Sequence, residues 1–371
     1  MNLFSPQTTA HAAFISTTAL LALAAVAAPA RSGTLFTETN SASGNAVLAF
    51  QQAADGSLTQ VAQVATGGLG TGGGLGNQGA LAFGGGGRWL FAVNAGSDEI
   101  SVLETRASGI ALVAKVSSGG TRPVSLTVHG DLLYVLNAGG TGNITGFRVL
   151  ANGRLRQIAH STRPLSSVSA GAAQVQFDNE GEQLIVTEKA TNLIDTYSVN
   201  DGIANGPVAH ASQGKTPFGF AIDRRDHLIV SEAFGGAPNA SALSSYDLDE
   251  DSSALPNISA SVPTNQTAAC WVVVGGRYGR YAYTTNTTSD SVTGYRISGN
   301  GTLTSLTSNG RTAQTGAGPT DEAVSNDGRM LFVLSPPVGQ ISAFRVQADG
   351  ALINIGSVAG VPTKATGLVY R

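Results

Sequence analysis

From Leu35 to the C-terminus the chain is a succession of short apolar runs broken by Gly, Asn, Asp and Ser, as in "ALAFGGGGRWLFAVNAGSDEISVLETR" after Gly79. Runs of this kind between turn residues read as β-strands, and that stretch shows no helical period. The turns recur. Asp or Asn, then Gly, then any residue, then Leu or Ala, places a glycine at Gly56, Gly153, Gly202, Gly301 and Gly350, at intervals of 97, 49, 99 and 49 residues. These are one or two units of a single repeat. Gly109 in "ASGIAL" and the glycine-free "DEDSSAL" near Ser253 supply the two missing turns, which makes seven. Ahead of each turn lies a strand with one large apolar residue: Phe50, Leu103, Phe147, Tyr197, Tyr246, Tyr295 and Phe344.

Each unit holds two further strands upstream of its hairpin. The innermost are "ALAF", "VSLTV", "QVQF", "FGFAI", "WVVV", "EAVS" and, at the very end, "GLVY". The second are "LFTET", "WLFAV", "LLYVL", "QLIVT", "HLIVS", "RYAYTT" and "MLFVL". Seven units of four antiparallel strands predict an all-β fold, a seven-bladed β-propeller. The chain opens on a second-position strand at Leu35 and ends on a first-position strand at Tyr370, so one blade is completed from both termini. That closure leaves no exposed sheet edge at the seam.

Composition agrees: 42% of the 371 residues are apolar and only 12% charged, poor in the Glu, Lys and Arg that surface helices favour. A net charge of −3, with no basic cluster along the sequence, argues against nucleic acid or an anionic membrane as the main partner. The single cysteine, Cys270, sits in "ACWVVV" and reads as a small buried hydrophobe. At the N-terminus "AFISTTALLALAAVAA" ends in small residues and is followed by the triplets Ala25-Val26-Ala27 and Ala28-Pro29-Ala30, the pattern of a signal peptide over residues 1–30. The expected mature chain, 31–371, is then one propeller domain without a membrane span, secreted or periplasmic. Six glycosylation sequons, at Asn143, Asn239, Asn257, Asn265, Asn286 and Asn300, are compatible with export.

"GGLGTGGGLGNQG", Gly67 to Gly79, contains the dinucleotide pattern G-x-G-x-x-G, but no helix follows to cap a phosphate and no acidic residue stands in the required place. The stretch instead links the first blade to the second over the rim of the central channel. "DLDEDSS" spaces Asp247, Asp249 and Asp251 like a calcium loop but lacks its glycine and terminal glutamate, so no metal or other cofactor is expected.

The rim supplies the candidate chemistry. Second strands end in Asn40, Asn94, Asn137, Glu188, Glu232, Asn286 and Ser335; asparagine there suits a turn, whereas glutamate invites a functional role. Inner strands open near Gln78, Arg122, Gln174, Phe218, Asp321, Glu322 and Lys364. Two cations, Arg122 and Lys364, thus face up to four carboxylates, Glu188, Glu232, Asp321 and Glu322. Such a set either binds a polar small molecule or satisfies itself as a solvated ion-pair network.

With the repeats aligned, "GGGLGNQGALAF", "GTRPVSLTV", "TPFGFAIDRRDHLIVSEAFGG" and "CWVVVGGRYGRYAYTTN" resemble the seven-bladed lactonase family of bacterial 6-phosphogluconolactonases and fungal carboxymuconate cyclases, over Gly33 to Arg371. The resemblance implies a lactone or carboxylate ligand. Where family enzymes carry Pro-Arg-His and Asn-Glu, this chain has Pro217-Phe218-Gly219 and Ser231-Glu232; one blade earlier it has Ala172-Ala173-Gln174 and Glu188. It implies Glu232, with Glu188, as the catalytic carboxylates, Glu232 as base, and leaves Arg122 or Lys364 to replace the lost cation; the rim positions add Gln78, Asn94, Asn137, Gln174, Asn286, Asp321 and Glu322 as ligand-binding candidates. A non-catalytic propeller that binds a ligand or a protein partner on the same rim is the alternative.

Overall fold

The computed structural model describes residues 1–3, 33–107, 109–248 and 253–371. The segment expected to be a signal peptide, beyond Leu3, and the acidic stretch at 249–252 lie outside these. Residues 33–371 form seven antiparallel sheets, each of four principal strands, in the sequence order predicted: a seven-bladed β-propeller. Blades 2 to 7 begin with the inner strands Leu81–Gly84, Pro123–His129, Ala172–Phe177, Pro217–Ile222, Ala269–Gly275 and Asp321–Val324. Blade 1 takes its inner strand, Thr366–Tyr370, from the C-terminus and its second, Thr34–Glu38, from the start of the domain.

That seam is held along its length. Leu35 pairs with Tyr370 and Phe36 with Val369, and the backbones of Thr34 and Arg371 exchange hydrogen bonds of 2.7 and 2.9 Å. The Tyr370 hydroxyl donates to Gln52 Oε1 at 2.5 Å and accepts from the Gly33 N–H.

Both faces of every blade pack on a neighbour, so strands that would alternate in a one-sided sheet are apolar throughout. Trp89–Asn94 is buried at all six positions. Successive residues serve successive interfaces: Leu35 packs with Phe50, Phe332 and Ile341 toward blade 7, and Phe36 with Leu90 and Leu103 toward blade 2. The large residues ahead of the hairpins, Phe50, Leu103, Phe147, Tyr197, Tyr246, Tyr295 and Phe344, are all buried between blades, each worth about 1.5–3 kcal/mol of apolar transfer or more. Outer strands such as Leu58–Ala65 keep one face in solvent.

Candidate functional site at the channel mouth

The second-strand ends do not point into the channel. They lie between blades and hold the connections that cross from one blade to the next. Asn94 donates to Ser101 Oγ at 2.7 Å and accepts from Thr66 Oγ1 at 2.7 Å, pinning the connection that leaves blade 1. Asn137 donates to Asn143 Oδ1 and the Ser118 carbonyl, and Asn286 to Ser291 and Thr293. Ser335 donates to the Gly316 carbonyl. In blade 1 the register makes Thr39, not Asn40, the equivalent position, because Leu35 pairs with Phe50 as Leu90 does with Leu103. Asn40 grips the glycine-rich connection instead, accepting from the Thr71 N–H at 2.8 Å and donating to the Gly73 carbonyl at 2.6 Å.

The two glutamates follow the same rule. Glu232 is fully buried and accepts from the Gly214 N–H at 2.8 Å, Ser244 Oγ at 2.5 Å and Ser261 Oγ at 2.6 Å. Burial raises its pKa, and the three donors oppose that shift. Glu188 accepts from the Ser166 N–H at 3.1 Å and Thr191 Oγ1 at 2.6 Å, and Asp195 accepts from the same Ser166 N–H at 3.0 Å. Burial, a hydrogen bond with Glu188 and its charge push Asp195 up to about 7.

The inner-strand acids are buried too. Asp321 accepts from the Glu322 N–H at 2.8 Å and faces Leu368 of blade 1, whereas Glu322 faces Val273 of blade 6 with neither carboxyl oxygen hydrogen-bonded. Desolvation raises both pKa values strongly. Gln174 clamps blade 5 through a reciprocal pair with Phe220, 2.8 and 2.9 Å long. Arg122 and Lys364 are exposed. The four carboxylates and two cations therefore form no single network. Another acid escaped the sequence reading: Glu38, fully buried, accepts from Asn45 Nδ2 at 3.1 Å and is raised by desolvation.

The mouth itself is built from other side chains. The glycine-rich connection does not pass over the rim; it turns into the channel. Gly70 abuts the Asn40 backbone so closely that a Cβ would fall 2.1 Å from its carbonyl carbon, and Gly79 needs φ +86° to rejoin blade 2. Between them the chain delivers Asn77 and Gln78 to the axis. Trp271 Nε1 of blade 6 donates to the Asn77 carbonyl at 2.7 Å, the Asn77 amide donates to the Val124 carbonyl of blade 3, and Thr366 of blade 1 donates to Asn77 Oδ1 at 3.3 Å. Gln78 pairs reciprocally with Val272 at 2.7 and 3.0 Å, and its N–H donates to the Ala173 carbonyl of blade 4 at 3.1 Å.

Beside this tip stands Lys189, which sequence reasoning passed over. Its Nζ donates to the carbonyls of Gly76 at 2.5 Å and Ala172 at 3.3 Å, and lies 4.7 Å from the Phe218 ring centroid. Phe218 in turn packs on Trp271, ring centroids 5.1 Å apart, in a cluster with Cys270. Desolvation lowers Lys189 to about 8, with the Arg122 charge adding to the fall. Burial pushes the Cys270 thiol up to about 12, so it is no thiolate at neutral pH. The arginine that the resemblance leads one to expect at 218 is replaced by an aromatic face, and a cation returns over that face from the neighbouring blade.

The profile of the family described as "Lactonase, 7-bladed beta-propeller" matches residues 42–164 and 87–274. The chain belongs to that lactonase family. Solved structures with the same fold include a candidate 6-phosphogluconolactonase from Bacteroides fragilis, at 18% identity and TM-score 0.74 over 93% of this chain and 100% of that one. The periplasmic gluconolactonase of Pseudomonas aeruginosa aligns at 17% identity and TM-score 0.70, over 91% of this chain and 99% of its own. A Lactobacillus plantarum protein aligns at 14% and 0.74, over 92% and 99%. No curated protein sequence matches the chain. At these identities the solved structures speak for the fold alone.

Proposed function

We propose that this propeller binds a small lactone, or the hydroxy acid to which it opens, at the channel mouth, and acts there as an exported lactonase. The observation that carries the reading is Lys189. It is a half-buried cation with no carboxylate in ion-pair range among the described residues, held by two backbone carbonyls against an aromatic face. An ammonium so placed attracts the carbonyl oxygen of a lactone or the carboxylate of its product, with the buried Phe218–Trp271 pair as its apolar backing. Arg122 contributes positive potential from blade 3, and Lys364 stands exposed on the entry to the inner strand of blade 1.

Ring opening also requires a base for water. The resemblance assigns that role to Glu232 or Glu188, and both spend their hydrogen bonds on crossover connections. This favours a second reading, a propeller that binds the same ligand without turning it over. A panel of γ- and δ-lactones, with and without phosphate, assayed for hydrolysis and titrated together with their hydroxy acids by calorimetry, separates the two. Turnover lost in Lys189→Met supports the first reading, and binding without turnover supports the second. Neither binding nor turnover on any member overturns both.

A further inference from the structure

We propose that residues Leu75–Gln78 form a fixed plug across the central channel, which closes the ligand site on its inner side. The ligand half of this inference rests on the reading of the mouth given above; the plug itself rests on contacts alone. Starting from blade 1, the segment reaches blades 3, 4 and 6 by hydrogen bonds from Asn77 and Gln78, and returns to blade 1 through Thr366. At blade 5 it lies so close that a Cβ on Gly219 would fall 2.1 Å from Gln78 Oε1. A chain that touches blades 3 and 6 of a seven-membered ring has to cross the axis. Asn77 is 2% exposed and Leu75 7%, so the tip is interior and not a flap resting on the surface.

The bonding pattern argues for a fixed element and against a swinging one. Asn77 and Gln78 together engage both groups of each side-chain amide, and displacing them would orphan the Trp271 indole N–H and the Val272 N–H inside the protein. The plug also positions the cation, because the Gly76 carbonyl is the nearer of the two that hold Lys189. A ligand oxygen bound to Lys189 therefore meets the Gly76–Gln78 backbone on its inner side. A glycosylated aldonic acid has nowhere to put its second sugar except solvent.

Cys270, the only thiol and part of the Phe218–Trp271 cluster, is a built-in reporter. In the wild-type protein it should resist methyl methanethiosulfonate until the fold opens. In Asn77→Ala and Gln78→Ala, folding being checked by circular dichroism, it should react at least tenfold faster. Gln78→Asn, which keeps the amide but is too short to span to Val272, is the milder variant should either alanine change prevent folding. In parallel, the wild-type protein, whose plug leaves the second sugar in solvent, should bind a six-carbon aldonic acid and its disaccharide counterpart equally within about threefold, and the variants, with the channel open, should favour the disaccharide. Rapid labelling of wild-type Cys270, or folded variants with unchanged labelling and unchanged size preference, would overturn the plug. If neither acid binds the wild-type protein the reading of the mouth fails, while the labelling still decides whether the plug exists.

Discussion

Lys189 and Phe218 come from different blades and meet with Nζ 4.7 Å from the ring centroid, the ammonium at the mouth being lent by blade 4 to an aromatic face of blade 5. Replacing the lysine by methionine keeps the stem and removes the charge. We expect ligand binding to weaken about tenfold or more, since a hydrogen bond to a charged group is worth about 1.5–3 kcal/mol, with little change in melting temperature. Because Lys189 titrates near 8, affinity for a hydroxy-acid anion should fall as pH rises from 7 to 9 in the wild type and stay level in Lys189→Met. Calorimetric titrations at three pH values check both.

Deleting Thr366 to Arg371 removes the innermost strand of blade 1 and leaves the ladder groups of Thr34–Glu38 unpaired beside the channel. It also removes Leu368 from a core shared with Phe50 and Phe332. We expect cooperative melting to be lost, far beyond the effect of an ordinary terminal truncation. A truncated chain that melts like the full domain would show that the seam carries little of the stability.

Buried acids set the pH dependence of stability. Glu38, Asp195, Glu232, Asp321 and Glu322 are all raised in the folded protein, chiefly by desolvation. Between the ordinary carboxylate value near 4 and the raised values, the native state holds more protons than the unfolded chain, so unfolding free energy falls as pH rises through that window. The protein should thus be more stable at pH 5 than at pH 8, each tenfold difference in proton affinity counting about 1.4 kcal/mol. Urea midpoints at the two pH values test the sign. A midpoint that rises toward pH 8 would mean that these carboxyls are solvated or paired in solution.

What sequence could tell follows from how local each determinant is. Strand order, hairpins and the seam are written in runs of a few residues and in turns such as Asp55-Gly56 and Asp349-Gly350, so the seven blades were legible. The orientation of the strand ends was not. Asn94, Glu188 and Glu232 look alike whether they face the channel or a crossover connection, and the choice is made by packing against the next blade. The inward turn of the glycine-rich stretch was hidden because glycine permits many paths and specifies none. Lys189 directly follows a residue that drew attention, yet its partners, Gly76 and Phe218, lie 113 and 29 positions away in sequence. Only the loss of an expected arginine at 218 hinted that a cation would be returned from elsewhere.

Glu232 offers the sharpest test between anchor and base. As an anchor it accepts three hydrogen bonds that fix the connection into blade 5 and the outer strand Asn257–Pro263. Glu232→Ala would strand those donors and leave a cavity, so we expect a loss of at least about 2 kcal/mol, visible as a melting point several degrees lower. Glu232→Gln keeps one acceptor oxygen but turns a donor toward a serine hydroxyl, which can rotate to accept it, so the loss should be about 1 kcal/mol. If anchoring is its whole role, lactone turnover should survive in Glu232→Gln within about threefold. A base would behave otherwise: the Gln variant would keep its stability and lose activity on the order of 10²-fold or more. Measuring melting temperature and kcat/KM on the same two variants gives each role its own signature, because only the base hypothesis lets activity collapse while the blade stays intact.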